Sequence, residues 1–192
     1  MATKSSDVRE KAVEAALALA ARRDWNEVSL RDIAKKAKIP LAKLHEHFDD
    51  RFDVIAAWSR LLDRRVLENA STPDEDSPAR DRLFDVLMER FDALNDNRDG
   101  AKSILKSLRR DPKQAVIALP NLGRSMSWML EAAGIEAAGL SGALKIAGAS
   151  AAYLCALYAW CDDDSADMAK TMAALDKSLG RAAQIGESFG VA

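Results

Sequence analysis

The sequence has few of the residues that make tight turns or covalent cross-links. Nine of its 192 residues are glycine, all at or after Gly100, and five are proline. Turns in the first half are therefore predicted to use Asp, Asn and Pro, because no glycine is present there to adopt a positive φ. The two cysteines, Cys155 and Cys161, are six residues apart and match neither a zinc nor a redox spacing, so we expect reduced thiols in the core.

Strand patterns and catalytic motifs are also missing. No stretch of alternating apolar and polar residues predicts a strand, whereas Ala, Leu and paired charges recur at helical spacing, so the class is all-α. The sequence contains no glycine-rich phosphate loop, no nucleophile elbow and no signal peptide. His45 and His47 point in different directions on a helix, which excludes the usual i, i+4 metal pair. We expect a soluble cytoplasmic non-enzyme without cofactor or metal.

Residues 29–48, SLRDIAKKAKIPLAKLHEHF, predict two short helices joined by a tight turn, the layout of a DNA-binding helix-turn-helix. Ser29 with Asp32 three residues later resembles a capping box at the start of the first helix. Pro40 cannot continue that helix but can occupy the first position of the next one. The second helix is predicted over residues 41–48, with Leu41, Leu44 and Phe48 turned inward.

The outward residues of this motif would face DNA. Lysine and arginine side chains there could contact phosphates, which supply most of the affinity of such domains, and plain solvation is the alternative for each one. Glu46 acts against DNA binding unless it accepts a hydrogen bond from a cytosine amine. The predicted DNA-binding residues are Ser29, Arg31, Lys35, Lys36, Lys38, Ala42, Lys43, His45 and His47.

Charge supports this assignment weakly. Residues 1–60 carry 12 Lys and Arg against 10 Asp and Glu, a net charge of +2, which leaves 16 against 20, or −4, for residues 61–192. The difference has the sign that DNA binding requires, although it is small.

Residues 16–34, ALALAARRDWNEVSLRDIA, and the junction Phe48 to Arg51 resemble the TetR family of bacterial regulators. The resemblance implies a three-helix DNA-binding headpiece over residues 1–50 and a helical ligand-binding and dimerisation domain over residues 51–192, with about nine helices in all. The chain departs from the family where DNA is contacted. Lys38 replaces the usual turn glycine, Pro40 the usual cap serine, and Lys43 and His45 the usual threonine and tyrosine.

A candidate pocket for a small apolar effector or lipid follows from the segment after Pro112. Pro120 should kink or split this long helix, and a kink opens space between neighbouring helices. Methionine and tryptophan nearby would make an adaptable apolar lining, with ordinary core packing as the alternative. The predicted pocket residues are Phe91, Pro120, Met126, Trp128, Met129 and Tyr153.

Residues 141–161 are nearly uncharged, but Lys145, two tyrosines and many small residues favour a buried helix over a membrane span. The next helix is predicted to begin at Ser165. Small residues on the first helix let a partner approach closely, and the family resemblance implies a homodimer held together by this pair of helices. The predicted interface residues are Ala149, Ala152, Ala156, Met168, Met172, Leu175 and Leu179.

Two functions remain open. The first is a ligand-responsive homodimeric repressor that binds a double-stranded DNA operator. The second is a lipid-binding accessory protein of ubiquinone biosynthesis, because residues 80–111 and 153–179 also resemble a TetR-like family of that kind which no longer binds DNA. The altered residues suit the second function; they are Lys38, Pro40, Lys43, His45 and Glu46. The retained basic residues suit the first function; they are Arg31, Lys35, Lys36 and Lys43.

Overall fold

The computed structural model describes residues 2–70 and 72–188, without the side chains of residues 2–6 and 112–115. The described residues form nine α-helices and a short 3₁₀ turn, Trp25–Glu27, with no strand, which confirms the all-α prediction. The helices are α1 Ala2–Ala20, α2 Leu30–Ala37, α3 Leu41–His45, α4 Arg51–Asn69, α5 Ala79–Asn95, α6 Arg98–Arg110, α7 Pro112–Ala132, α8 Gly139–Cys161 and α9 Ala169–Ser188.

The chain divides into two compact units. The first contains the described residues up to Arg64 together with Ala93–Asn121, and the second contains Arg65–Asp92 with the described residues from Leu122 onward. The headpiece predicted over residues 1–50 therefore lies within the first unit, which also includes α6. The boundary at residue 50 stays a prediction.

The core of the first unit is built around α1. The helix buries small and branched residues along one face, so that α2 and α6 pack directly against it. Trp25, in the loop after α1, is 2% exposed and contributes the largest side chain of this core. Trp25 and seven other residues surround one small space in this core. The seven are Val13, Ala16, Leu17, Val54, Ile55, Trp58 and Ile104.

Gly100 allows α6 to lie unusually close to α1. A Cβ atom added at Gly100 would be 2.5 Å from the carbonyl oxygen of Leu17, a distance that real Cβ contacts do not show. A lone glycine inside a helix lowers helix propensity, and here its small size is required by the neighbouring backbone.

The second unit has α8 packed along α9. One face of α8 is buried, including Ala149, Ala152, Tyr153 and Trp160, while the opposite face remains exposed. The prediction of a buried helix is thus correct for one face only, and Cys155 lies exposed on the other. The helix is long and apolar enough to cross a membrane by length and composition, and 28% of its most apolar stretch is buried within the chain.

A buried polar turn precedes α9. The carboxylate of Asp163 is fully buried and accepts hydrogen bonds from the amide and hydroxyl of Thr171 at 2.8 and 2.7 Å, and from the amide and hydroxyl of Ser165. Burial raises the pKa of Asp163, but these hydrogen bonds outweigh it and hold the pKa well below its usual range. Met168 follows with φ 54°, so α9 begins at Ala169 and the prediction of a start at Ser165 was wrong.

Three further predictions need correction. The helix predicted over residues 41–48 ends at His45, and a turn carries the chain on to Phe48. Leu41 is 46% exposed instead of inward, and Leu44 is the one buried residue of this five-residue helix. Of the predicted kink or split at Pro120, the split was wrong, since α7 runs through that residue, and the kink stays a prediction.

Candidate nucleic-acid interface

A capping box starts α2 and orients its exposed face. The hydroxyl of Ser29 accepts from the amide of Asp32 at 3.1 Å, while the carboxylate of Asp32 accepts from the amide of Ser29 at 3.0 Å. Arg23 pairs with the same carboxylate at 2.8 Å. Hydrogen bonds from Ser29, and then the charge of Arg23, lower the pKa of Asp32 from 3.8 to about 2. The predicted cap is confirmed, and it engages the Ser29 hydroxyl that is also predicted to contact DNA.

The turn between α2 and α3 is made by a lysine. Lys38 has φ 57° and ψ 39°, the left-handed conformation in which glycine is most often found. The amide of Ile39 donates to the carbonyl of Ala34 at 2.9 Å, which closes the end of α2. Pro40, with φ −55° and ψ 138°, is the N-cap residue of α3, one position before the first helical position predicted for it. The prediction that Asp, Asn and Pro make every turn in the glycine-free half was therefore wrong at Lys38.

Helix α3 presents a short polar surface above a buried anchor. Leu44 and Phe48 are buried in the core of the first unit. On the outer side, Ala42, Lys43 and His45 are exposed, and His47 is half-buried with its Nε2 atom unbonded within the described residues. Lys43 is paired with the carboxylate of Glu46, one helical turn further on.

The predicted basic residues of α2 and its turn are all exposed. They are Arg31, Lys35, Lys36 and Lys38. None of them forms an ion pair within the part of the chain that the structure describes. Arg31 and Lys35 are four residues apart in α2, so they lie on one side of that helix. Their ammonium and guanidinium groups are available to an external anion.

Arg51 joins the motif to α4, a role that the sequence did not predict. Its guanidinium Nη1 donates to the carbonyls of Trp25, Asn26 and Val28 at 2.8, 3.2 and 2.9 Å. It also lies over the Trp25 ring, 5.7 Å from the ring centroid. The acceptors are more than twenty residues earlier in the chain, so the local sequence holds no signal for them.

Side chains of helix α6 bind the loop between α1 and α2. The hydroxyl of Ser107 donates to the side chain of Asn26 at 2.7 Å, and Arg110 pairs with Asp24 at 3.0 Å. Asp24 in turn caps the 3₁₀ turn by accepting from the amide of Asn26 at 2.9 Å. A displacement of α6 would therefore act on the loop that leads into α2.

The predicted pocket residues separate in the structure. Phe91, Met126, Met129 and Tyr153 are buried, and the rings of Phe91 and Tyr153 stack with centroids 5.2 Å apart. Trp128 is 57% exposed, because it lies on the outer face of α7. Pro120 is exposed as well and belongs to the first unit. Neither residue is buried as the other four are.

An apolar groove of about 500 Å³ lies elsewhere in the second unit. It follows α8 and α9, and it is reached by Leu83 of α5 and Leu130 of α7. None of the six predicted pocket residues lines it. Lysine and arginine side chains occur along it, but most of its lining is small or apolar, as in Ala147, Ala151 and Cys155.

The predicted interface residues are mostly inside the protomer. Ala149, Ala152, Ala156, Met168, Leu175 and Leu179 are buried, and only Met172 is exposed. Three of the buried six, Ala149, Ala152 and Leu179, line the apolar groove, and the role of the predicted set in an interface stays a prediction. The exposed apolar residues of α8 recur every three or four positions instead. They are Leu140, Leu144, Ala147, Ala151, Leu154 and Tyr158.

No group of three or more His, Cys, Asp or Glu side chains within the described ranges is arranged to hold a metal ion. The candidate functional site of the first unit is the exposed basic surface of its helix-turn-helix. Such a surface can bind a polyanion by charge and by contacts to base edges in a major groove.

Comparison with known proteins relates the helix-turn-helix to a family of bacterial regulators. Residues 12–57 match the sequence profile of the bacterial regulatory proteins of the tetR family. The crystal structure of the TetR transcriptional regulator from Nitrosomonas europaea ATCC 19718 is similar over 92% of this chain and 98% of that one, with a TM-score of 0.70 and 26% sequence identity.

Two more distant structures share the fold. A TetR transcriptional regulator from Rhodococcus sp. RHA1 is 15% identical, with a TM-score of 0.67 over 95% of this chain and 97% of that one. A tetR-family transcriptional regulator from Streptomyces coelicolor is 17% identical, with a TM-score of 0.57 over 95% and 85% of the two chains. No curated protein sequence matches the chain.

Proposed function

Because the chain belongs to the TetR family by its N-terminal domain and its fold, we propose that it is a homodimeric transcriptional repressor that binds operator DNA through α2 and α3. The observation that carries the proposal is a row of exposed cations beside the short helix α3, which have no ionic partner among the described residues. They are Arg31, Lys35, Lys36 and Lys38. Phosphate contacts by such cations position a helix-turn-helix on the duplex, while side chains of the second helix contact base edges.

A second copy of the chain is the partner that the exposed face of α8 fits. Leu140 is 82% exposed and Tyr158 57%, and the residues between them continue an apolar stripe at coiled-coil spacing. The apolar groove along α8 and α9 widens this face. A monomer would leave the whole stripe in water, which favours burial against an identical copy.

Dimerisation would also set the distance between the two recognition helices that bind DNA. Two recognition helices contact successive major grooves when they are about 34–36 Å apart, so a dimer binds a palindromic site far better than a single headpiece does. A modest change in this separation costs much of the affinity. We propose that an effector acts by causing such a change.

The effector is proposed to be a small apolar molecule that enters the interior of the second unit near Phe91 and Tyr153. The two rings stack on each other in this interior, and the buried Met126 and Met129 have flexible side chains that can repack around a ligand. The contacts of α6 with the loop at Asp24 and Asn26 offer a route by which movement reaches α2. The protein would act in the cytoplasm, without catalysis.

The lipid-binding alternative is not favoured by these comparisons. The three matched structures are transcriptional regulators, and the basic residues of α2 remain exposed, with no ion pair in the described part of the chain. A headpiece that no longer binds DNA has no need of such residues.

Selection of genomic fragments by the purified protein tests the proposal. We expect one or a few enriched sequences with two-fold symmetry, bound at nanomolar concentration in moderate salt. Lys35→Ala should reduce the slope of log affinity against log salt by about 0.9 for each phosphate that is no longer neutralised, hence about 1.8 for a dimer. Lys177→Ala removes the same charge from an exposed site on α9 and should leave the slope unchanged. If no fragment is enriched, with or without candidate effectors, the protein is not a DNA-binding regulator.

A further inference from the structure

Lys43 differs from the other cations of the helix-turn-helix. Arg31, Lys35, Lys36 and Lys38 have no ionic partner among the described residues, whereas the ammonium of Lys43 is paired with the carboxylate of Glu46. The side chains of the pair are 47% and 58% exposed, and both lie on the outer side of the recognition helix. The pair is therefore in the position where DNA would contact α3.

Glu46 also differs from two of the acidic residues that follow it, Asp50 and Asp53. Asp50 caps α4 by accepting from the amides of Phe52 and Asp53, and Asp53 accepts from the amide of Asp49. These carboxylates have backbone partners that explain their presence. Glu46 has Lys43 alone as its hydrogen-bond partner within the described residues, and the hydrogen bond from Lys43 lowers the pKa of Glu46.

We propose that Glu46 determines DNA specificity by withholding Lys43 from DNA that lacks the operator sequence. The inference rests on the proposed function. On arbitrary DNA the pair stays closed, so α3 presents a carboxylate that phosphates repel and a lysine whose charge is already compensated. Non-operator DNA is then bound through the cations of α2 alone.

Operator DNA can open the pair because a major groove offers each partner a replacement. The exocyclic amine of a cytosine donates to a carboxylate, and a guanine edge accepts from a lysine, so the replacement depends on base sequence. An exposed ion pair between neighbouring turns is weak, so these contacts suffice to separate it. Glu46 therefore predicts at least one cytosine opposite α3 in each operator half-site.

Glu46→Gln tests this inference because it removes the charge and keeps the shape of the side chain. Affinities would be measured by fluorescence anisotropy over a salt series, using the full-length protein, a duplex of arbitrary sequence and the selected operator in a duplex of equal length. For the arbitrary duplex we expect Glu46→Gln to bind about three- to tenfold more tightly, with a salt slope steeper by about 0.9 per protomer. For the operator we expect weaker binding or no gain, so that the ratio of the two affinities falls.

Two comparisons separate release of Lys43 from a simple loss of negative charge. In a Lys43→Ala background, Glu46→Gln should no longer steepen the salt slope. Glu27→Gln, which removes an exposed carboxylate of the 3₁₀ turn that has no ionic partner among the described residues, should bind the arbitrary duplex within twofold of wild type. Circular dichroism melting would establish that every variant is folded.

The results also separate this inference from the function on which it rests. If an operator is selected but Glu46→Gln leaves binding to arbitrary DNA within twofold, or gains equally in the Lys43→Ala background, Glu46 has no such role and the regulator assignment stands. If no fragment is enriched, both proposals fail.

Discussion

The guanidinium of Arg51 lies over the indole of Trp25, 5.7 Å from the ring centroid, and donates to the Trp25 carbonyl at 2.8 Å. The first residue of α4 thus holds the loop that precedes α2. Two further carbonyls of the same loop accept from Arg51, so one side chain closes the end of the 3₁₀ turn and orients the DNA-binding motif.

Arg51→Ala should lower the free energy of unfolding by about 2 kcal/mol, because partly buried carbonyls are then left without a charged donor. Urea denaturation followed by circular dichroism measures the change. Arg60→Ala, at an exposed position of the same helix with no partner among the described residues, should stay within about 0.5 kcal/mol of wild type. Equal effects of the two substitutions would show that the Arg51 contacts contribute nothing specific.

Lys38→Gly should stabilise the protein. The left-handed backbone at φ 57° strains a side chain with a Cβ atom and suits glycine, so the expected gain is about 0.5–1 kcal/mol. Lys36→Gly, inside α2, should instead destabilise by about 1 kcal/mol, because glycine there weakens the helix. Thermal denaturation of the two variants compares them directly. A decrease in stability of Lys38→Gly would contradict the conformation assigned to this turn.

Gly100→Ala should destabilise the first unit by about 2 kcal/mol or more, since the added methyl group would meet the Leu17 carbonyl at 2.5 Å and force α6 away from α1. Gly123→Ala in α7 is the matched substitution. Its nearest neighbour is a flexible Ile146 carbon at 3.8 Å, so the better helix former should stabilise by about 0.5–1 kcal/mol. Urea denaturation measures the change in the free energy of unfolding for each variant. The inference requires that the two changes have opposite signs.

Leu154→Glu should convert the proposed dimer to a monomer at micromolar concentration. The substitution places a charge within the exposed α8 stripe without altering the protomer core, because Leu154 is already in contact with solvent. Light scattering coupled to size-exclusion chromatography measures the mass. Leu67→Glu, at an exposed leucine of α4, should remain dimeric. A wild-type monomer would exclude the proposed interface altogether.

Much of the headpiece could be predicted from local sequence. The Ser29 and Asp32 capping box, the end of α2 before Pro40 and the cap at Asp50 depend on residues within a few positions of one another, and all three are present. The outward position of Lys43 follows from helical periodicity in the same way. Its pairing with Glu46 is equally local, because residues three apart are neighbours on a helical surface.

Features that depend on distant residues could not be predicted in this way. Arg51 finds acceptors more than twenty residues earlier, and Ser107 finds Asn26 eighty-one residues earlier. The small residues of α8 predict an interface because they permit close packing by any helix. Only the tertiary structure decided that the packing helix belongs to the same chain.

By itself the sequence determined that the chain is helical, where most helices lie, and that residues 29–48 form a helix-turn-helix. These properties follow from periodicity, capping and proline, which act over one or two helical turns. The tertiary structure decided which face of each helix is buried, where the apolar groove lies, and that Trp128, Cys155 and Leu41 face solvent. An apolar residue meets the core or solvent according to the arrangement of helices that are distant in sequence, and no local pattern encodes that arrangement.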